Sequence, residues 1–284
     1  MEFKVDLTPH FDDVFKYIGS YNRHFTISFF ILSLVYISSG LDAVAVIFLL
    51  PNIVHWCRVE ELDNRCVEIG LNEYDCQQMK SKYRHHDDNS TTINEEYCNQ
   101  YNFTAYDFVS NSSFKNTPTL YCQNGFEYDN SLYQTSVTEE FDLVCENTYL
   151  ISLSLSLEYA GLLIGSLIIG NIGDRYGRKP TTVVCMLLWS IVCVGTMAAQ
   201  SYWMYTIFRL LSAICATGVY TTVFVYGCEL VSPSKRSLAG SFLNFQWAIG
   251  YTLASFFAYM IQNWRYRLLA MLVIHALICV LICM

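Results

Sequence analysis

Residues 149–180 read YLISLSLSLEYAGLLIGSLIIG followed by NIGDRYGRKP, and this stretch decides the fold. Its first 22 residues hold one charge, Glu158; the next ten hold four, Asp174, Arg175, Arg178 and Lys179. A bilayer core about 30 Å thick needs roughly 20 apolar residues in a helix. The pattern is a membrane-spanning helix that runs into a short charged turn. Five more apolar stretches of similar length lie near 25–49, 181–200, 202–225, 238–260 and 267–284. The expected architecture is all-α, with six transmembrane helices and a large loop between the first two.

Composition agrees. Of 284 residues, 53% are hydrophobic and 15% charged, against about 25% charged in soluble domains. Residues 51–149 hold 23 of the 42 charges, with 6 basic against 17 acidic side chains. An ordinary cytosolic enzyme is excluded by this distribution, and no basic stripe supports nucleic-acid binding. No nucleophile elbow, phosphate loop or metal-spaced histidine pair is present, so no enzyme, metal or cofactor is expected.

The chain divides into a cytoplasmic segment 1–24, a first helix 25–50, a loop domain 51–148 and helices two to six in 149–284. Residues 1–24 carry apolar side chains at helical spacing and suit either a membrane-surface helix or a disordered tail. Basic residues set the orientation. With the N-terminus inside, eight Lys/Arg flank the spans on the cytoplasmic side and four, Arg58, Arg65, Arg265 and Arg267, on the other. The acidic loop then faces outward, both termini are cytoplasmic, and the plasma membrane is the expected location.

The loop carries Cys57, Cys66, Cys76, Cys98, Cys122 and Cys145, and glycosylation sequons at Asn89, Asn102 and Asn111. An even cysteine count beside sequons predicts disulfides in an oxidising compartment, with fifteen connectivities open. The six cysteines in or beside spans are read as small packing residues.

In the turn, glycines permit a tight reversal and Pro180 suits the first turn of the next helix. Asp174 can cap that helix or pair with a cation across the turn. The set Gly170, Asp174, Arg175, Gly177, Arg178, Lys179 resembles the signature loop between helices two and three of the major facilitator superfamily. Ser136–Cys145 resembles the close of the extracellular loop in its organic cation, organic anion and carnitine transporter branch. His55-Trp-Cys57-Arg58 resembles that loop's opening, Phe11–Val14 the branch's N-terminal segment, and Glu229 with Arg236 its cytoplasmic acidic–basic pair.

This resemblance implies alternating-access transport of a small organic ion, a cation or carnitine-like zwitterion, with the chain as the N-terminal six-helix half. The implied partners are the lipid bilayer, that substrate, and a second six-helix half or another copy of the chain. The competing expectation is a non-transporting short form, serving as an interaction module or an inhibitor of a full-length relative.

Charges within spans are functional candidates. Asp42 is either a cation-attracting carboxylate or a paired structural one. Glu158 either lines the outer cavity or sits near the interface. Arg209 is either structural, the favoured reading, or a substrate contact, or snorkels outward. Tyr220 and Phe224 share a helical face and, with Asn244 and Trp247, complete the candidate substrate set. Gly161, Gly165 and Gly170 are read as close-packing devices on helix two.

Overall fold

In a computed structural model, the structure describes residues 23–58, 68, 70, 98–101, 119–130 and 133–283. The expectations on residues 1–22, Cys66, Cys76, Asn89, Asn102 and Asn111 lie outside the described residues. Two compact units are present, one of 1–49 with 153–284 and one of 50–152.

The larger unit is built from long helices: α1 (Arg23–Leu49), α2 (Tyr149–Tyr176), α3 (Arg178–Met197), α4 (Tyr202–Glu229), α5 (Arg236–Met260) and α6 (Trp264–Cys283). Segments Thr26–Leu49, Cys145–Tyr176, Arg178–Met197, Tyr202–Glu229 and Trp264–Ile282 are long and apolar enough to cross a membrane. The protein is an integral multi-pass membrane protein. The 25-residue α5 is not among these segments.

In lipid, burying apolar surface between helices gains little, so close packing and polar contacts must hold the bundle. The largest contacts are α1 on α5 and α3 on α4. At the first crossing Gly40 and Gly250 face each other. A Cβ on Gly250 would meet the Ile37 carbonyl, and one on Gly40 the Trp247 carbonyl. On α2, Gly161 and Gly165 lie against the Leu210 and Ile214 carbonyls of α4. Gly170 has no neighbour within 4 Å of where a Cβ would sit, which corrects its reading as a packing residue.

Polar contacts add to this. Trp189 Nε1 donates to Ser212 Oγ at 2.9 Å, and Thr182 Oγ1 to Thr222 Oγ1 at 3.0 Å, both between α3 and α4. The fully buried Arg267 donates to the Phe48 carbonyl at 2.7 Å and to the Ile261 carbonyl at 3.1 and 3.2 Å. Those carbonyls lie at the C-terminal ends of α1 and α5, where backbone acceptors lack helical partners. Arg265 serves the α3 end in the same way, donating to the Ala199 carbonyl at 3.0 Å. Two of the four arginines counted on the outer side are therefore engaged in closing helix ends.

The turn between α2 and α3 is one residue long. Gly177, at φ +98°, occupies a conformation that other residues rarely adopt. Asp174 does not cap α3; it pairs with Arg178 at 2.5 Å, and Arg178 Nε lies 3.6 Å from Glu229 at the end of α4. Lys179 is exposed, and Arg175 stacks over the Tyr176 ring at 5.7 Å. Arg236 opens α5.

The smaller unit joins the loop's opening to its close. Strand β1 (His55–Cys57) pairs antiparallel with β4 (Phe126–Tyr128), and β2 (Asn99–Tyr101) with β3 (Thr119–Tyr121). Disulfides link Cys57 to Cys122 and Cys98 to Cys145. Ser136 caps the helical turn Val137–Glu140 by accepting from Glu139 N–H, and Thr138 Oγ1 donates to the Pro51 carbonyl. Burial holds the His55 imidazole below its usual pKa and raises the Glu139 carboxyl and Tyr128 phenol.

The glycine crossing yields a paired prediction. Gly250→Val forces α1 off α5 and should destabilise the protein by about 1–3 kcal/mol, as overpacking does. Gly170→Ala meets no neighbour and should leave the midpoint unchanged or slightly raised. Thermal unfolding of both variants in detergent reads the difference.

Candidate functional site

Among the described residues, charged side chains from α1, α2 and α4 meet within the apolar bundle. Arg209 of α4 donates through Nη1 to Asp42 Oδ1 of α1 at 3.2 Å. Through Nη2 it donates to Glu158 Oε1 of α2 at 2.6 Å. Its side chain is 3% exposed, and those of the two carboxylates 14%. Arg209 does not snorkel to an interface; it bridges two acids. A planar guanidinium suits this because its donors fan outward in one plane. With all three groups ionised the cluster carries one net negative charge.

Asp42 and Glu158 also line a cavity of about 460 Å³ within the bundle. Aromatic side chains line it as well. Tyr220 of α4 lies 6.4 Å from Trp247 of α5, and Trp247 lies 4.4 Å from Tyr251, ring centre to centre. Tyr36 supports the arc from behind, its ring 5.0 Å from Tyr220 and its hydroxyl donating to the Tyr220 carbonyl at 3.3 Å. Ser39 Oγ of α1, also among the lining residues, is buried and has no protein partner among the described residues.

Four of the six candidate substrate residues thus share one cavity: Asp42, Glu158, Tyr220 and Trp247. Phe224 and Asn244 are not among its lining residues. Phe224 lies one turn further along α4, against Gly240, and Asn244 donates to the Gly240 carbonyl at 3.0 Å. Sequence reasoning missed Tyr251, whose signal was its place four residues after Trp247 on one helical face. It also missed Tyr159, next to Glu158, which lines the cavity too.

His275 of α6 was missed as well. It is buried, donates through Nε2 to the Met186 carbonyl at 3.3 Å, and its Nδ1 lies 3.3 Å from Ser38 Oγ. Its ring packs on Trp189 at 4.2 Å. It ties α6 to α1 and α3 behind Asp42.

A bundle of long apolar helices around an acidic, aromatic-walled cavity has the build of a membrane carrier. Residues 91–284 match the family model described as "Sugar (and other) transporter". The chain belongs to this transporter family of the major facilitator superfamily.

The relatives it matches are named for transport of small organic solutes. It is 29% identical over 263 residues to the organic cation transporter-like protein of Drosophila melanogaster, covering 92% of this chain and 44% of the relative. It is 27% identical over 271 residues to the organic cation/carnitine transporter 2 of Mus musculus, covering 93% and 47%. It is 24% identical over 278 residues to the beta-alanine transporter of Drosophila melanogaster, covering 90% and 44%. The chain spans about half the length of the curated relatives it matches.

Removing Arg209 would leave two buried carboxylates facing each other. Breaking such a pair from one side costs about 3–5 kcal/mol. Arg209→Met should therefore lower thermal stability sharply, while adding Asp42→Asn and Glu158→Gln to it should restore most of the loss. Unfolding midpoints of the single and triple variants check this; equal midpoints would contradict the bridge.

Proposed function

We propose that this chain forms the N-terminal six-helix half of an alternating-access carrier for small organic cations and carnitine-like zwitterions. All six helices, α5 included, span the membrane, with both termini cytoplasmic and the disulfide-bearing loop outside, at the plasma membrane. The Gly-Asp-Arg turn then lies on the cytoplasmic side, where Arg178 holds the ends of α2, α3 and α4 through Asp174 and Glu229. A second six-helix half, on another chain or as another copy, closes the cavity from the open side.

The observation that carries the substrate class is the charge of the cavity wall. One guanidinium is shared by two carboxylates, and it lies behind them rather than on the lining. A cation entering the cavity meets net negative charge at short range in a medium of low dielectric. It also meets the faces of Tyr220, Trp247 and Tyr251, which attract cations by about 0.5–2 kcal/mol each. Ser39 supplies a hydrogen-bonding oxygen for a polar substituent. The names of the relatives agree with this class, spanning organic cation, carnitine and beta-alanine transport.

Equilibrium binding of radiolabelled tetraethylammonium to the purified chain in lipid nanodiscs tests the reading. Binding should be displaced by L-carnitine and not by a benzoate of similar size. Trp247→Ala should weaken it about tenfold, the equivalent of about 1.4 kcal/mol. Equal binding of the benzoate, or an unchanged affinity in Trp247→Ala, would refute the assignment.

A further inference from the structure

Beside Asp42, on the side of α6, lies a buried imidazole that is not among the residues lining the large cavity. His275 is 5% exposed. Its Nδ1 lies 3.3 Å from Ser38 Oγ, and its Nε2 lies 3.3 Å from the Met186 carbonyl. We infer that His275 is a proton site coupled to the substrate site: the ring is doubly protonated when the cavity is empty and gives up one proton when an organic cation enters. The exchange rests on the cation reading above; the proton site itself does not.

A count of hydrogens favours the charged ring. Ser38 Oγ also lies 3.0 Å from the Val35 carbonyl, to which it donates. The ring, the hydroxyl and the two carbonyls thus make three contacts, and each needs one hydrogen. A neutral imidazole brings one N–H and the serine one O–H, which leaves one contact without a hydrogen. An imidazolium donates from both nitrogens. Nε2–H then meets Met186, Nδ1–H meets Ser38 Oγ, and the hydroxyl hydrogen stays on Val35. All three contacts are made at once in the charged form alone.

Burial opposes a charged ring, and the triad offsets that cost. With Asp42, Glu158 and Arg209 ionised, the cluster is one positive charge short of neutral. Asp42 and His275 line a common small cavity of about 20 Å³, together with Ser38, Trp189 and Cys193. That is room for about one water. Helix α6 packs on α1 and α3. Among the described residues, the titratable groups that face the ring from those helices are Asp42 of α1 and the Cys193 thiol of α3, with Cys185 next to Met186. Arg209 of α4 and Glu158 of α2 lie beyond Asp42. On α6 itself, Arg267 is turned to the Phe48 and Ile261 carbonyls, and Cys279 lies one turn further along. Asp42 is therefore the anion that the ring meets.

Asp42 also lines the large cavity. Its charge is open from two sides, to a proton held on His275 and to a cation held against Tyr220 and Trp247. Two positive charges drawn to one carboxylate repel each other in a medium of low dielectric. An organic cation in the large cavity thus expels one proton from His275 to solvent, and the ring stays behind as a neutral imidazole with its Nε2–H on Met186. Triad, ring and ligand together remain at zero net charge through the exchange. Such linkage is reciprocal: the proton weakens cation binding by the factor by which the cation weakens proton binding. Lower pH therefore opposes binding.

Two measurements on the full chain in nanodiscs test this. Nitrogen NMR of the histidine-labelled chain, assigned by the signal lost in His275→Gln, should find both ring nitrogens of His275 protonated at neutral pH without ligand. Saturating tetraethylammonium should remove one of those protons, and Glu158→Gln, which makes the triad neutral, should remove it without ligand. Tetraethylammonium affinity should rise between about pH 5 and 8, where imidazoles titrate, by up to about tenfold per pH unit for one proton exchanged. His275→Gln should flatten that profile. A neutral His275 ring in the unliganded wild-type chain would overturn the inference even where tetraethylammonium binds. An imidazolium unchanged by bound cation, or a pH profile that survives in His275→Gln, would overturn it too. A chain that binds no tetraethylammonium would overturn the exchange and the substrate reading together, and the NMR of the unliganded chain then still decides the proton site.

Discussion

One guanidinium shared between two carboxylates in the middle of an apolar helix bundle constrains the rest of the molecule. An isolated charge at that depth costs about 2.5–3.5 kcal/mol on insertion scales and more by other measures. Asp42, Glu158 and Arg209 come from three different helices, so mutual pairing brings α1, α2 and α4 together at one level. The pairing is unequal by one charge. The cavity inherits that imbalance, because the carboxylates lie on its wall and the arginine lies behind them.

Other contacts hold the helices around this cluster. Backbones approach where glycine removes the side chain, at Gly40 and Gly250 between α1 and α5. Arg267 and Arg265 satisfy carbonyls at the ends of α1, α3 and α5. Arg178 does the corresponding work at the other end of the bundle, reaching both Asp174 and Glu229. Charge on the long helices is largely used at their ends, where the backbone has unpaired groups, and at one internal level, where it faces the cavity.

The helices were legible because apolar runs of about 20 residues have few other meanings. Their ends were less so. Helix α2 runs through Asn171–Tyr176 because a polar residue emerging from the bilayer is still free to be helical, and Gly177 alone breaks it. The charged triad was visible only as three separate candidates. Its members lie 167 and 51 residues apart along the chain, and no local spacing joins them. Within lipid, hydrophobic periodicity does not mark a buried face, so it could not say that Tyr220 and Trp247 share a wall while Phe224 and Asn244 do not. Disulfide partners were hidden for a similar reason: fifteen pairings satisfy the same count, and only the folded chain shows Cys57 bonded to Cys122 and Cys98 to Cys145.

The central claim is that this cavity selects its ligand by positive charge. The most direct measurement compares choline with its uncharged isostere 3,3-dimethylbutan-1-ol, which has the same shape without the quaternary nitrogen. Calorimetric titration of the chain in nanodiscs should show choline binding at least about tenfold more tightly, a difference of about 1.4 kcal/mol. That preference should shrink when Glu158→Gln makes the triad neutral. Equal affinities for the two ligands in the unaltered protein would contradict the account.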